Sequence, residues 1–343
     1  MRSTADAIEQ CFKSLARRCS AQYILEGDIH SCFDTISHKW LLENTPMDKE
    51  ILGKWPAAGY IEDGKLSPTT VGAPQGGIIS PTLLTITLSG LEQMVKAITK
   101  PQDKINVCIY ADDFIITGAT AEVLENKVRP AVDAFLRNRG LSLSQEKTKI
   151  THINDGFDFL GVNIRKHRNK LIVKPAKSSV KRLLADIREK IKSNRTAKTD
   201  NLIRLLNPMV RGWGNYYRNV CSKMTFSYVD HYIFEALWRW AVRRHPNKKF
   251  TWIKQKYFRT DKIHNWIFST VVRNKYRESV YLDLVEMKKV PIKRHIKIKS
   301  AATPYNPEYH NYLEKRIVGR VIESNNKRRP SWWLCWWNLI GAH

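Results

Sequence analysis

The stretch that most restricts what this chain can fold into is Tyr110-Ala111-Asp112-Asp113. Upstream, Lys104-Ile105-Asn106-Val107-Cys108-Ile109 alternates polar and apolar side chains, the period of a half-buried strand. Downstream, Phe114-Ile115-Ile116-Thr117 is rich in β-branched residues and stops at Gly118. Two short strands meeting at a pair of acids make a hairpin with negative charge at its tip. Adjacent carboxylates repel, and a divalent cation between them removes the repulsion. A plain polar turn is the alternative, because Asp is common in turns. A lone Tyr-X-Asp-Asp arises by chance in roughly a few per cent of chains this long, so the neighbouring segments must decide.

A second acidic strand lies upstream, Tyr23-Ile24-Leu25-Glu26-Gly27-Asp28-Ile29, followed by Phe33-Asp34. An Asp at a strand end and two at a hairpin supply three carboxylates from neighbouring strands, Asp28, Asp112 and Asp113. That is enough to hold two Mg²⁺ ions for phosphoryl transfer, one at the attacking hydroxyl and one at the leaving group. Between the strands runs Gly72-Ala73-Pro74-Gln75-Gly76-Gly77-Ile78-Ile79-Ser80-Pro81, a glycine-rich turn opening a helix. Leu84, Leu88, Leu91, Val95 and Ile98 continue it at helical spacing.

Asp28-X4-Phe33-Asp34, then Pro74-Gln75-Gly76, then Tyr110-Ala111-Asp112-Asp113 resemble, in that order, the palm motifs of reverse transcriptases. Gly77-Ile78-Ile79-Ser80-Pro81, Phe157-Asp158-Phe159-Leu160-Gly161 and Gly212-Trp213-Gly214-Asn215-Tyr216-Tyr217-Arg218 resemble the proteins encoded by bacterial group II introns, which join reverse transcriptase to maturase. The resemblance covers about 2–316. It implies an α+β fold, a palm of antiparallel sheet with packed helices followed by an α-helical thumb or maturase domain. It implies RNA-directed DNA synthesis with Asp28, Asp112 and Asp113 catalytic, and with Ile29 joining them as a ligand to two Mg²⁺. Phe33, Ala73, Pro74, Gln75, Gly76 and Lys147 would meet the nucleotide, Phe33 as a gate against a ribose 2′-hydroxyl and Lys147 near the triphosphate. Lys177, Lys181, Arg182, Arg188, Arg211 and Arg218 would meet RNA. The implied partners are group II intron RNA, an RNA template with a DNA primer, and deoxynucleoside triphosphates, in a bacterial cytoplasm. Whether the protein dimerises stays open. The fingers segment and the terminal nuclease of the family have no counterpart in this sequence, so a fragment with impaired polymerisation is expected. A splicing maturase without polymerase activity and an inactive mobile-element remnant are the alternatives.

Charge is divided along the chain. Residues 1–160 hold 17 Lys and Arg against 20 Asp and Glu, residues 161–220 hold 16 against 3, and residues 221–343 hold 25 against 9. Metal chemistry and polyanion grip therefore occupy different stretches, with the break near 160. The six cysteines are scattered singly with no Cys-X-X-Cys pair, which indicates neither a zinc site nor a disulfide framework and fits a reducing compartment. No apolar run is long enough to span a membrane.

The expected organisation is a palm over 1–160, a helical thumb over 161–245, a basic DNA-binding-like region over 246–316 and an aberrant tail over 317–343. Ala7, Ile8, Cys11, Phe12 and Leu15 predict a first helix, and Pro46 separates two short helices within 38–58. A helix over 121–139 is interrupted by Pro130 and closed by Gly140. Glu146-Lys147-Thr148-Lys149 leads a strand, and 157–173 reads as a hairpin. Val180, Leu183, Leu184, Ile187 and Ile191 form one stripe of a basic helix. Leu202, Leu205, Leu206 and Met209 mark the next helix; the aromatics after it suit stacking on RNA bases or a helical core, and for Trp213 and Tyr216 the core is the expectation. Tyr228, Tyr232, Leu237, Trp238 and Trp240 mark a third over 226–245.

Overall fold

The computed structural model describes residues 3–57, 59–62, 65–67, 72–73, 77–261 and 265–324. They divide into two compact units, Thr4–Ile296 and a second that holds Ser3 and residues 297–324. In the larger unit, α1 (Thr4–Leu15) leads into β1 (Tyr23–Gly27), then α2 (His38–Asn44), α3 (Lys49–Ala57), β2 (Tyr60–Glu62) and β3 (Lys65–Ser67). After α4 (Ser80–Thr87) and α5 (Leu91–Ile98), β4 (Asn106–Tyr110) and β5 (Asp113–Gly118) form the acidic hairpin. A π-helical turn, Leu124–Val128, links α6 (Ala121–Val123) to α7 (Arg129–Arg137) before β6 (Lys149–His152). Pro130 therefore sits where the wider turn ends, so its missing N–H costs no regular helical bond.

The central sheet has the order β4-β5-β1-β6, antiparallel throughout. Strand side chains alternate between faces, and here both faces are covered. Ile24, Cys108 and Ile115 enter one core with α1 and the downstream elements. Leu25, Val107, Phe114 and Ile116 enter the other with α2, α4, α5 and α7. Gly27 is required at the end of β1, because a Cβ there would lie 2.1 Å from the Phe114 ring.

Residues 157–175 form three strands where a hairpin was expected: β7 (Phe157–Phe159), β8 (Val162–His167) and β9 (Lys170–Pro175). Leu160 and Gly161, both at positive φ, close a two-residue turn that lets the short Phe-Asp-Phe segment pair with β8. Helices α8 (Lys177–Ser193), α9 (Thr199–Tyr217), α10 (Lys223–Arg244) and α11 (Phe250–Tyr257) follow. The five-residue stripe of α8 is buried as expected.

On α9 the phase differs: Leu202, Ile203, Leu206 and Val210 are buried, while Leu205 is 45% exposed. Asn207 sets this rotation. Its amide donates to the Asp283 carbonyl at 3.0 Å and accepts from the Val285 N–H at 2.8 Å, so a polar side chain takes the inner face and turns Leu205 outward. On α10, Phe226, Val229, Ile233 and Leu237 fill the core and Tyr228 faces solvent. The region expected to be basic and DNA-binding-like contains β10 (Phe258–Arg259), β11 (Ile267–Arg273) and β12 (Ser279–Asp283), a small sheet whose Phe258 and Phe268 join the core of α8–α10. In the second unit, α12 (His310–Ser324) takes up residues 317–324 of the expected tail. Residues 325–343 lie outside the described residues.

Candidate active site and polyanion-binding surface

The register of β1 on β5 ends at Gly27 opposite Phe114, which brings the next residue, Asp28, level with Asp113 on the neighbouring strand. Directly opposed residues of antiparallel strands sit about 5 Å apart, so the sheet itself sets the carboxylates together. The hairpin tip is tight. Tyr110 pairs with Asp113, leaving Ala111 and Asp112 as a two-residue loop with Ala111 at φ 54°. That left-handed conformation costs about 1–2 kcal/mol for a residue with a Cβ, and it holds Asp112 out at the apex.

Asp28 and Asp112 line one cavity of about 460 Å³ together with Ile29, Ser31, Cys32, Phe33 and Lys147. The Lys147 ammonium lies 3.3 Å from an Asp28 carboxylate oxygen. Ile29 bridges to Leu143 through its neighbours, the His30 N–H donating to the Ser142 carbonyl and the Ser144 N–H to the Asp28 carbonyl. This leaves the Ile29 carbonyl outside that ladder. Asp113 does not line the cavity but senses it. Its pKa is raised, first by partial loss of hydration of its carboxyl and then by Asp112 and Asp28, although the residue keeps contact with solvent.

The three carboxylates do not close into a ready cage: among the described residues no cluster of three metal-ligating side chains is found. Lys147 supplies countercharge at the site through its ion pair with Asp28.

A raised carboxylic acid keeps its proton longer in the folded chain than in the unfolded one. Its contribution to stability is full below the ordinary carboxylate range and is lost as pH rises through the raised value. Asp283 and Glu286, whose pKa values are lowered, act in the opposite sense, so the expected effect is a difference: relative to Asp113→Asn, the metal-free wild type should lose melting temperature across that window. Melts from about pH 4 to 7 check this. Glu26 and Asp230, raised by burial, are common to both proteins and cancel in the difference.

Phe33 is half-buried against the second core and presents its ring to the cavity. Ala73 is buried and donates its N–H to the Phe33 carbonyl at 2.6 Å, so the glycine-rich turn docks on the same segment. Pro74, Gln75 and Gly76 lie outside the described residues. Cys32 escaped sequence reasoning. Its thiol is buried beside the acids, and its pKa is pushed up to about 12 by burial, then by Asp112, Asp28 and Asp34. Only its place between Asp28 and Phe33 could have flagged it.

The aromatic block at the end of α9 fastens the helices to the strands. The Tyr216 hydroxyl donates to the Leu160 carbonyl at 2.8 Å and the Tyr217 hydroxyl to the Gly161 carbonyl at 3.0 Å. Tyr217 and Trp213 are packed into the core, with Trp213 4.3 Å from the Tyr217 ring. Tyr216, expected there too, is 41% exposed. The Tyr216 pKa is raised by burial, and Tyr110 and Asp113 add to it, which sets this tyrosine near the acidic hairpin.

Lys177, Lys181, Arg182, Arg188 and Arg211 are exposed and Arg218 is half-buried. Among the described residues, no ion pair involves any of the six. Only Arg188 opens onto a groove of about 760 Å³ between α8 and α10, where Lys192, Arg195, Arg239, Arg243 and Arg244 join it. The signal was present as i, i+4, i+7 spacing of 188, 192 and 195 and i, i+4 spacing of 239 and 243. Arg244 and Trp240 are structural members. Arg244 donates to the Arg195 and Ala197 carbonyls at 3.0 and 2.7 Å, and the Trp240 indole donates to the Asn194 carbonyl at 3.0 Å.

Comparison with known proteins adds two matches. A family model described as reverse transcriptase (RNA-dependent DNA polymerase) matches residues 1–164, and one described as the group II intron maturase-specific domain matches residues 180–258. Protein YkfC of Escherichia coli (strain K12) is 29% identical over 187 residues, covering 43% of this chain and 48% of that protein. The group II intron-encoded protein LtrA of Lactococcus lactis subsp. cremoris is 26% identical over 222 residues, covering 46% of this chain and 37% of its own length. The chain thus spans about half or less of the length of these curated relatives. A solved structure of apo telomerase from Candida Tropicalis, truncated from its C-terminal domain, is similar at a TM-score of 0.37 and 16% identity, over 50% of this chain and 40% of that one.

Proposed function

We propose, from the premise that the chain belongs to the family of group II intron-encoded reverse transcriptases and maturases, that it joins the chemistry of RNA-directed DNA synthesis to a grip on intron RNA. The observation that carries this reading is the single cavity shared by Asp28, Asp112, Phe33 and Lys147. The donors suit magnesium: Asp28, Asp112 and Asp113 with the Ile29 carbonyl are hard oxygen ligands, and the raised Asp113 pKa marks a site short of positive charge. Two Mg²⁺ held there would lower the pKa of a primer 3′-hydroxyl and offset the charge of departing pyrophosphate.

The protein's own residues do the rest. Phe33 bounds the sugar, Ala73 fixes the turn beside it, and Lys147 holds a proton at Nζ within reach of a leaving phosphate. A deoxynucleoside triphosphate and an RNA template paired to a DNA primer are the substrates on this reading, and intron RNA is the partner of the helical part. We place the protein in the bacterial cytoplasm. The relatives YkfC and LtrA come from bacteria, and the five cysteines among the described residues are free. Among the described residues, no helix is long and apolar enough to cross a membrane.

Primer extension with Mg²⁺, run beside splicing of a group II intron RNA, tests the proposal. Extension supports the palm assignment. Splicing stimulation without extension would leave a maturase alone, and neither activity would overturn the reading. If Phe33 bounds the sugar, Phe33→Val should raise ribonucleotide incorporation relative to deoxynucleotide by roughly tenfold or more, since the ring excludes one hydroxyl by shape. An unchanged ratio from competing nucleotides would return Phe33 to the core.

A further inference from the structure

The palm carries charge of both signs, sorted to opposite ends of its sheet. At the acidic end lie Asp28 and the Asp112 hairpin. At the other end, where β1 and β4 begin, is a second cavity of about 600 Å³ lined by Lys13, Arg17, Lys96, Lys100 and Lys104. All five cations are exposed. This concentration stands out in a stretch whose overall balance, 17 Lys and Arg against 20 Asp and Glu, is acidic. Lys96 is paired with Glu92 at 2.5 Å, and the Asp103 carboxylate accepts from the Lys100 N–H at 2.8 Å. Among the described residues, no ion pair involves Lys13, Arg17, Lys100 or Lys104.

The rim is built. The buried Lys166 donates from Nζ to the Arg17 carbonyl at 2.9 Å and to the Ser20 hydroxyl at 2.8 Å, which pins the loop after α1 from below. Lys13 and Arg17 share one face of α1 by i, i+4 spacing.

We propose that this cavity is a second nucleic-acid contact, on the palm but away from the catalytic hairpin, which takes consecutive backbone phosphates of intron RNA. The inference rests on the reading that the chain binds RNA. Five cations against two carboxylates leave more positive charge than one small anion can neutralise. An open cavity walled by flexible lysines fits a run of phosphates, which exchanges its counterions for the side chains. The acidic end needs divalent metal to hold such a polymer and this end does not, so the contact should survive chelation.

The test uses the full chain, a fluorescein-labelled 40-nucleotide RNA hairpin and a DNA duplex of equal length, with EDTA present. Lys13→Gln/Arg17→Gln/Lys100→Gln should lower the slope of log affinity against log salt by about 2 and weaken RNA binding by roughly tenfold at physiological salt. Lys39→Gln/Lys49→Gln/Lys54→Gln, which removes equal charge from α2 and α3, should do neither.

A local readout is available. Cys19 lines the cavity and is exposed, so bound RNA should slow its alkylation by N-ethylmaleimide in the wild type and not in the triple variant. Thermal melts confirm that both variants fold. Equal losses in the two triple variants, or Cys19 alkylation unaffected by RNA, would overturn the proposal. Protection by duplex DNA alone would reassign the site to DNA. A wild-type chain that binds no RNA would remove the premise, and with it the maturase reading.

Discussion

If the chain extends a primer as proposed, Asp112→Asn should lower the rate by at least about 10³-fold, while RNA affinity stays within about twofold of wild type. The size of the effect follows from position. Asp112 stands at the apex of the β4–β5 hairpin and shares a cavity with Asp28, whereas Asp113 borders the ladder and does not line that cavity. Asn keeps the shape of Asp and its tolerance of turns, so the loop set by Ala111 at φ 54° persists and only the charge is removed. RNA affinity should hold because the cations proposed to meet RNA lie away from Asp112, on α8, α9 and α10 and at the opposite end of the palm sheet. Rates and binding measured on one preparation, with a melt, check the prediction. Parallel loss of both would mean that the hairpin had unfolded, and extension at the wild-type rate would remove Asp112 from the chemistry.

Local signals were legible in the sequence and long-range ones were not. The hairpin, β1 and the α8 stripe each express a period within a few residues, and each formed; the α8 stripe is buried as expected, while the strand expected to be half-buried lies in a sheet covered on both faces. The latch between strands and helices could not be read. It rests on hydroxyls of Tyr216 and Tyr217 meeting carbonyls of Leu160 and Gly161, more than fifty residues away, and neither motif announces its partner. Gly161 shows why the two belong together: a Cβ there would come 2.7 Å from the Tyr217 hydroxyl.

The α9 phase failed for a related reason. A polar Asn207 reads as outward-facing until its partners at 283 and 285 are known. The sheet β10–β12 was missed because 246–316 reads as one basic region, although Ile267-Phe268-Ser269-Thr270-Val271-Val272 is strand-like; burial marks only the first three residues of β11 and none of β12. In the site, Asp28 could be read from its strand, and Phe33 and Lys147 from the resemblance of their segments to the family, while Cys32 could not, because burial gives it its character.

Reversing the charge of the α8–α10 groove should have the second large effect, on binding where Asp112→Asn acts on rate. Arg188, Lys192 and Arg243 line that groove, whereas Arg244 holds the α8–α9 connection and Arg239 is tied to Glu235 at 3.1 Å. Arg188→Glu/Lys192→Glu/Arg243→Glu therefore leaves the groove's frame in place and changes its sign. Each phosphate that the groove no longer neutralises takes about 0.7–0.9 from the magnitude of the salt slope, so three should take about 2–3. Introduced carboxylates also repel the backbone, and the dissociation constant for intron RNA at physiological salt should rise by roughly 100-fold or more. Extension of a saturating short primer–template should fall much less, because the cavity at Asp28 and Asp112 is untouched. The two readouts separate grip from chemistry. An unchanged salt slope would show that RNA does not run through this groove, and would shift the grip to the exposed face that carries Lys177, Lys181 and Arg182.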